Sequence, residues 1–162
     1  MARGCVLRMY VIGKLFTGIE ANAITVRLLS HTPLINFTAS TEGKNIMNRI
    51  GPEVLDRARQ YGCEQMMLTT MNLAGAYQNL DVVQQYADIC TMTLGVHPYH
   101  AGEIYEWDGY LDRLREFGQR VLGERPSCLA AFGEIGLDYE YLDRADKQTQ
   151  QCAFRDQLDL AA

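Results

Sequence analysis

The sequence predicts an α/β protein built from parallel (β/α) repeats. Short apolar segments end at Ser40, Thr70, His97 and Glu134, so that the intervals between their ends are 30, 27 and 37 residues. Each interval is close to the ~30 residues of one βα unit. Apolar residues recur at helical spacing between the segments, which favours helices as the connections. We therefore expect about four βα units, with functional groups where the strands end.

Each predicted strand is a short apolar run with a polar or glycine-containing end. The first is assigned to 33–40, where Pro-Leu-Ile-Asn-Phe precedes Thr38. The second and third, at 66–73 and 91–100, end in Thr-Thr-Met-Asn-Leu and in Gly-Val-His-Pro-Tyr-His. The fourth, at 128–132, leads into Gly-Glu-Ile-Gly-Leu-Asp, which we interpret as a glycine-rich turn. Helical connections between parallel neighbours imply right-handed crossovers.

Four amphipathic helices are predicted, one after each strand. The last begins near Asp146. An apolar stripe at helical spacing marks the face that should pack on the sheet. In chain order the stripes comprise Ile50, Val54, Leu55, Ala58 and Tyr61; Ala76, Leu80, Val83 and Ala87; Trp107, Leu111, Leu114, Phe117 and Val121; and Phe154, Leu158 and Ala161.

Composition indicates a globular protein with one core. Hydrophobic residues make up 48% and charged residues 22% of the 162 residues. The net charge of −5 argues against indiscriminate phosphate binding, although bound divalent cations can supply the positive charge that a nuclease needs. Five cysteines without a C-x-x-C pair favour small buried residues in a reducing compartment. We expect a cytoplasmic protein, with nuclear or mitochondrial alternatives left open.

Residues 1–33 form an N-terminal extension of unknown role. Two arginines precede the short apolar run Met9–Gly13, and Lys14 ends that run too early for a secretory leader. We predict neither secretion nor a membrane-spanning segment. The domain that we expect to fold as βα units is therefore 34–162.

Glu134 and His97 are the candidate functional residues. Each lies where a predicted strand runs into a loop, and the carboxyl ends of parallel strands form the active face of such proteins. A carboxylate there is suited to metal binding or acid/base work. It can also cap the following turn, and a neutral imidazole can stiffen a loop through a carbonyl. Asp138 can approach the site, but we expect it to fix the turn through an Asx-type hydrogen bond. Tyr99 and His100 are expected to be solvated loop residues.

The Gly-Val-His-Pro run at 95–98 and the Gly-Glu-Ile-Gly-Leu-Asp run at 133–138 together resemble the TatD family of metal-dependent deoxyribonucleases. The Thr-Thr-Met-Asn-Leu run at 69–73 is similar to that family's second strand end. The resemblance covers residues 34–162. It implies a TIM-barrel-type metallo-dependent hydrolase that cleaves DNA phosphodiester bonds.

The resemblance also implies a site with two divalent metal ions, either Mg, Mn or Zn. By this resemblance Glu134 is a metal ligand that could bridge both ions, and His97 is a substrate contact. The catalytic residue stays unassigned. Many members carry an H-x-H pair at the end of the first strand, and Thr38 and Ser40 occupy those positions here. His31 precedes the first strand and is a poor substitute ligand.

Length limits what this chain can do alone. A complete barrel needs about 250 residues, and 34–162 provides 129. We expect the N-terminal half of a barrel, truncated after about four units. Half a parallel sheet has two open edges, which favours self-association. Two alternatives stay open: a catalytically inactive half barrel acting in binding or assembly, and a related barrel hydrolase with a non-DNA substrate.

Overall fold

The described part of the chain forms a five-stranded sheet with helices packed on it. The computed structural model describes residues 6–11, 35–38 and 52–162, with side chains from Leu55 onward. The strands are β1 (Val6–Val11), β2 (Ile35–Thr38), β3 (Met66–Thr69), β4 (Cys90–Leu94) and β5 (Leu129–Asp138). The helices are α1 (Pro52–Gln60), α2 (Leu73–Gln85), α3 (Glu103–Glu106), α4 (Tyr110–Glu124) and α5 (Lys147–Ala161), with 3-10 turns at Pro98–His100 and Pro126–Cys128.

Four of the strands form the parallel repeat that the sequence predicts. The order in the sheet is β1-β5-β4-β3-β2, so β2 to β5 are neighbours in chain order. Each of these pairs is parallel, with Ile35 opposite Met66, Met66 opposite Cys90, and Leu94 opposite Phe132. Helices follow β3, β4 and β5, and α1 precedes β3. The predicted α/β class with parallel βα units is confirmed.

The fifth strand comes from the N-terminal extension. β1 pairs antiparallel with β5, so that Val6 lies opposite Asp138 and Met9 opposite Ile135. The prediction of two open edges is therefore wrong for the β5 edge, because β1 occupies its hydrogen-bonding groups. Ser40, Ile50, His31 and the remainder of 1–33 lie outside the described residues, and a domain boundary at residue 34 stays a prediction.

β5 is longer than the sequence predicts. The expected strand ends at Phe132, but the observed strand continues to Asp138. Its last parallel pair joins Phe132 to Leu94 of β4, and from there on it pairs with β1 alone. The Gly-Glu-Ile-Gly-Leu-Asp segment is thus extended strand and not a turn. The additional length of β5 comes from its pairing with β1. β1 lies in the N-terminal extension, to which no role was assigned from the sequence.

The buried core lies between the sheet and its helices. Its largest fully buried apolar side chains include Leu68 of β3, Met92 of β4 and Phe132 of β5. Of the four described cysteines, Cys63, Cys90 and Cys128 are buried as predicted, whereas Cys152 is only half-buried. Among the described helices, none combines the length and apolar character that a membrane-spanning helix requires.

Among the described side chains, the helix stripes are predicted well except at helix ends, where Ala87, which follows the end of α2 at Gln85, is exposed. Tyr61 is 89% exposed because α1 ends at Gln60, one residue before it. Trp107 is 60% exposed because the predicted third helix is split into α3 and α4, and Trp107 lies in the break.

The last helix begins as predicted but buries a different stripe. The Asp146 side chain caps its first turn by accepting a hydrogen bond from the Thr149 N–H at 2.8 Å. Ala161 is buried, whereas Phe154 and Leu158 are only half-buried. The other positions that face the sheet are Gln150, Ala153, Gln157 and Leu160.

Candidate functional site

Glu134 and His97 meet at the carboxyl edge of the parallel sheet. The Nε2 atom of His97 lies 4.0 Å from Oε1 of Glu134. Both residues are almost completely buried, with 1% and 3% of their surfaces exposed. A buried carboxylate beside an imidazole needs polar partners, because a low-dielectric interior penalises isolated charge. The structure thus brings together the two residues that the sequence singles out.

The His97 ring is oriented by its own turn. Its main-chain N–H donates to the Met71 carbonyl oxygen at 2.9 Å, which ties the end of β4 to the end of β3. Its Nδ1 atom accepts from the Tyr99 N–H at 3.2 Å and caps the 3-10 turn that follows. A neutral ring that accepts at Nδ1 carries its proton on Nε2. Nε2 is the ring atom that lies 4.0 Å from Oε1 of Glu134.

The Tyr99 ring covers this turn. It packs edge-on against His97, with ring centroids 4.3 Å apart, and against Tyr141 at 5.0 Å. Tyr99 is only partly exposed. The prediction of a solvated loop residue is therefore wrong for Tyr99, because the 3-10 turn directs its ring back over the site.

Two glycines allow Glu134 to reach the His97 turn. Gly133 has a φ of 150°, which side-chain-bearing residues rarely adopt. A Cβ on Gly95 would lie 2.9 Å from the Cα and carbonyl carbon of Gly133. Close packing of the main chain just after β4 against the middle of β5 therefore requires glycine at position 95.

Asp138 ends β5 and stabilises the following turn. Its Oδ1 accepts from the Glu140 N–H at 3.2 Å, which confirms the predicted Asx-type hydrogen bond. Gln150 of α5 contacts the main chain of the same residue from the other side. Thr38 is the last residue of β2, and its side chain lies outside the described part of the chain.

A polar cluster that the sequence did not reveal lies beside the pair. The Asn72 amide donates to both carboxylate oxygens of Glu103, at 2.9 and 3.1 Å. His100 Nδ1 lies 2.7 Å from Glu103 Oε1, and the Tyr110 hydroxyl donates to Oε2 at 3.2 Å. The Tyr110 oxygen also accepts from the Leu73 N–H at 2.8 Å. His100 is thus a partner of a carboxylate, which corrects its prediction as a solvated loop residue.

The cluster controls the ionisation of Glu103. Burial by itself would raise the pKa of this carboxyl, but hydrogen bonds from His100 and Asn72, the charge of His100 and a hydrogen bond from Tyr110 together hold the pKa below its ordinary value. Burial raises the pKa of Tyr110, so its hydroxyl stays protonated and donates. Asn72 lies in the Thr-Thr-Met-Asn-Leu run noted in the sequence, whereas Glu103 and Tyr110 had no sequence signal.

Threonines at the strand ends complete the edge. The Thr70 N–H donates to the Thr93 hydroxyl at 3.0 Å, and the Thr70 hydroxyl donates to the Thr93 carbonyl. The Asn79 amide of α2 donates to the Thr70 hydroxyl at 3.1 Å. Thr70 was predicted as a strand end, and these bonds give it a role in joining β3 to β4.

Comparison with known proteins agrees with this architecture. Residues 35–162 match the family described as TatD related DNase. The chain belongs to the TatD family.

Individual TatD relatives show the same similarity. The chain is 38% identical over 110 residues to a protein named 3'-5' ssDNA/RNA exonuclease TatD from Erwinia tasmaniensis, covering 68% of this chain and 39% of that one. It is 32% identical over 112 residues to Deoxyribonuclease Tat-D of Schizosaccharomyces pombe, covering 67% and 35%. The solved hydrolase TatD family protein from Entamoeba histolytica superposes with a TM-score of 0.62 at 27% identity, over 80% of this chain and 46% of that one.

The chain spans less than half the length of these TatD relatives. The predicted resemblance to TatD and the barrel-type α/β fold are confirmed. The roles of Glu134 and His97 as metal ligand and substrate contact stay predictions, since the comparisons name no residues.

The TatD resemblance implies divalent metals, and the described residues fit such a group only in part. Glu134 and His97 provide one carboxylate and one imidazole, both suitable ligand types. Within 6–11, 35–38 and 52–162, no three His, Cys, Asp or Glu side chains come close enough together to hold one ion. Divalent ions in proteins take four or more ligands. The Glu134–His97 pair can therefore supply part of the ligand set of a metal site but cannot complete it.

Proposed function

We propose that this chain is part of a metal-dependent hydrolase that cleaves DNA phosphodiester bonds. The supporting observation is the buried Glu134–His97 pair at the carboxyl edge of a parallel sheet, in a chain of the TatD family. The similarity to proteins named as deoxyribonuclease and ssDNA/RNA exonuclease supports nucleic acid as the substrate class. We retain a cytoplasmic location as a prediction from the sequence.

Each residue of the pair has a distinct proposed role. Glu134 offers carboxylate oxygens as ligands for a divalent ion. His97 presents an Nε2 N–H, held in place through its Nδ1 contact to Tyr99, that can donate a hydrogen bond to an anionic phosphate oxygen. When bound, a divalent ion lowers the pKa of a coordinated water and neutralises charge on the phosphodiester. The other ligands would come from outside the described residues.

The test compares Glu134→Gln with the wild-type protein isolated from its source cells. The carboxamide keeps the shape of the side chain but is a much weaker ligand for a divalent cation. We expect Mg²⁺- or Mn²⁺-dependent cleavage of a labelled single-stranded oligonucleotide to fall by roughly two orders of magnitude or more. Glu140→Gln, which neutralises an exposed carboxylate in the next turn, should leave cleavage unchanged. Equal activity of the Glu134→Gln variant and the wild type would contradict the proposal.

The intact mass of the endogenous protein decides which molecule to assay. A mass well above 18.3 kDa means that the chain is a portion of a longer protein, and the longer protein is then the one to test. A mass near 18.3 kDa means that the half barrel itself is the protein in the cell, which favours a binding or assembly role over autonomous catalysis. Comparing cleavage of DNA with that of small esters and amides separates the nuclease from a barrel hydrolase with another substrate.

A non-catalytic role is the second candidate. Two observations favour it: no three-ligand cluster exists among the described residues, and β1 covers the β5 edge, where a further parallel strand would pair. A half barrel of this kind would act in binding or assembly. If the 162-residue chain binds none of Mg²⁺, Mn²⁺ and Zn²⁺ at a millimolar excess, measured by calorimetry, catalysis by this chain alone is excluded and the binding role is favoured.

A further inference from the structure

Two buried glutamines of α5 contact the main chain next to the candidate site. Gln150 and Gln157 have 0% and 1% of their surfaces exposed. Fully buried polar side chains are uncommon and are held by hydrogen bonds where they occur. They are seven residues apart on the helix, and two turns of an α-helix bring such positions to the same face.

Gln157 pairs with both main-chain groups of Val96. Its Oε1 accepts from the Val96 N–H at 2.7 Å, and its Nε2 donates to the Val96 carbonyl at 3.1 Å. A further bond runs from Nε2 to the Ala153 carbonyl at 3.2 Å. Val96 lies beyond the end of β4 and directly precedes His97. The Gln157 carboxamide therefore makes the two main-chain hydrogen bonds that a neighbouring strand would make to Val96, the residue that begins the His97 turn.

Gln150 repeats the arrangement at the end of β5. Its Oε1 accepts from the Asp138 N–H at 2.8 Å, and its Nε2 donates to the Asp138 carbonyl at 3.0 Å. The Ala145 carbonyl accepts a third bond at 2.8 Å. Asp138 ends the strand that carries Glu134. One helix thus holds the two main-chain segments on which the site residues lie.

We propose that Gln157 and Gln150 are positioning residues that fix the His97 turn and the Glu134 strand relative to each other. To pair with both the N–H and the C=O of one residue, a side chain must offer an acceptor and a donor in the same plane. Only a carboxamide provides both. Glutamate lacks the donor, and methionine, of similar length, lacks both. The effect on cleavage rests on the proposed nuclease function, whereas the effect on main-chain order does not.

The direct test needs no substitution. Scalar couplings across the hydrogen bonds should connect the Val96 amide nitrogen with the Gln157 side-chain carbonyl carbon, and the Asp138 amide nitrogen with that of Gln150. Both cross-peaks are expected in the NMR spectra of the 162-residue protein. Absence of both, with ladder couplings in β3 and β4 visible in the same spectrum, would overturn the proposal.

Substitution separates positioning from general stability. In Gln157→Met, hydrogen exchange at the Val96 and His97 amides should accelerate roughly tenfold beyond any change shared by the core amides. Gln148→Met, at an exposed position of the same helix, should change neither. A uniform acceleration across the chain would show a merely structural glutamine and contradict the proposal.

Cleavage kinetics provide the functional readout. A positioning role predicts that Gln157→Met lowers kcat roughly tenfold or more and leaves KM within about a factor of two, because substrate still binds but the His97 turn is less well placed. Unchanged kcat together with accelerated exchange would refute positioning for catalysis. If the wild-type protein does not cleave DNA, the proposed function fails. The scalar couplings and exchange rates still test the role of the glutamines in the fold.

Discussion

Gly95, directly after β4, and Gly133, in the middle of β5, lie back to back, so closely that a Cβ on Gly95 would lie 2.9 Å from the Cα of Gly133. The Ile135 side chain closes the same space, with its Cγ2 atom 3.0 Å from that position. Because the contacting atoms of Gly133 are main chain, a Cβ at position 95 could be accommodated only if β4 and β5 moved apart. The distance between the His97 turn and Glu134 therefore depends on a glycine that contributes no functional group.

Gly95→Ala should destabilise the protein and separate the pair. Overpacking against main chain typically costs about 1–3 kcal/mol. We expect the urea midpoint to fall accordingly and the Glu134-dependent activity to fall with it. Gly123→Ala is the control: position 123 is open in α4, so the alanine should stabilise by up to about 1 kcal/mol through helix propensity. A Gly95→Ala variant as stable as the wild type would refute the close contact.

Removing residues 1–11 should expose the β5 edge. β1 pairs with β5 from Val6 to Val11, and an exposed strand edge readily pairs with a second molecule. We expect the truncated protein to form dimers or larger species with rising concentration in light scattering after gel filtration. Removing residues 1–5 alone keeps β1 and should leave the oligomeric state of the full chain unchanged. The same oligomeric state for both truncations would show that β1 does not protect this edge.

The parallel part of the fold was predictable because each unit carries its own signal. The apolar runs of β3 and β4, the Gly-Val-His-Pro turn and the helical stripes are all local patterns. β1 was not predictable because its pairing is decided by a strand more than a hundred residues away. The length of β5 was misjudged for the same reason, since its final residues pair with β1.

The candidate site likewise contains residues that local patterns predicted and residues that they did not. Glu134 and His97 were found because functional residues follow strand ends in parallel sheets. Gln150 and Gln157 were missed because glutamine on a helix is usually exposed. Their spacing on the buried face, in step with Ala153 and Leu160, was the available signal. Glu103 and Tyr110 meet only through the packing of α3 against α4, which no local pattern reveals.

Tyr110→Phe should destabilise the protein by about 1–2 kcal/mol. The lost hydroxyl accepts from the Leu73 N–H, one of the first-turn donors of α2 that have no partner within the helix, and donates to Glu103. Tyr77→Phe is the matched control, because the half-exposed Tyr77 ring packs edge-on against Phe117 through contacts that the substitution keeps. Its unfolding free energy should stay within about 0.5 kcal/mol of the wild type. Equal effects of the two substitutions would contradict the bridging role of Tyr110.

The low pKa of Glu103 predicts a stability contribution that is lost in acid. Its carboxyl has a pKa below the ordinary 4.5 in the folded protein, because hydrogen bonds from His100, Asn72 and Tyr110 outweigh the opposing effect of burial. The folded state therefore favours the carboxylate. The contribution is fully present above the unfolded pKa and disappears as pH falls through the lower folded pKa.

Glu103→Gln should accordingly lower the unfolding free energy at pH 7, and the gap from the wild type should narrow between about pH 5 and pH 3. Urea titrations at a series of pH values measure that gap. Glu106→Gln, which removes an exposed carboxylate from the same short helix, should give a small gap at every pH. A gap for Glu103→Gln that stays constant down to pH 3 would mean that the protonated carboxyl of Glu103 holds Asn72 and Tyr110 as well as the carboxylate does. Stabilisation by the cluster would then come from its hydrogen bonds alone and not from the carboxylate charge.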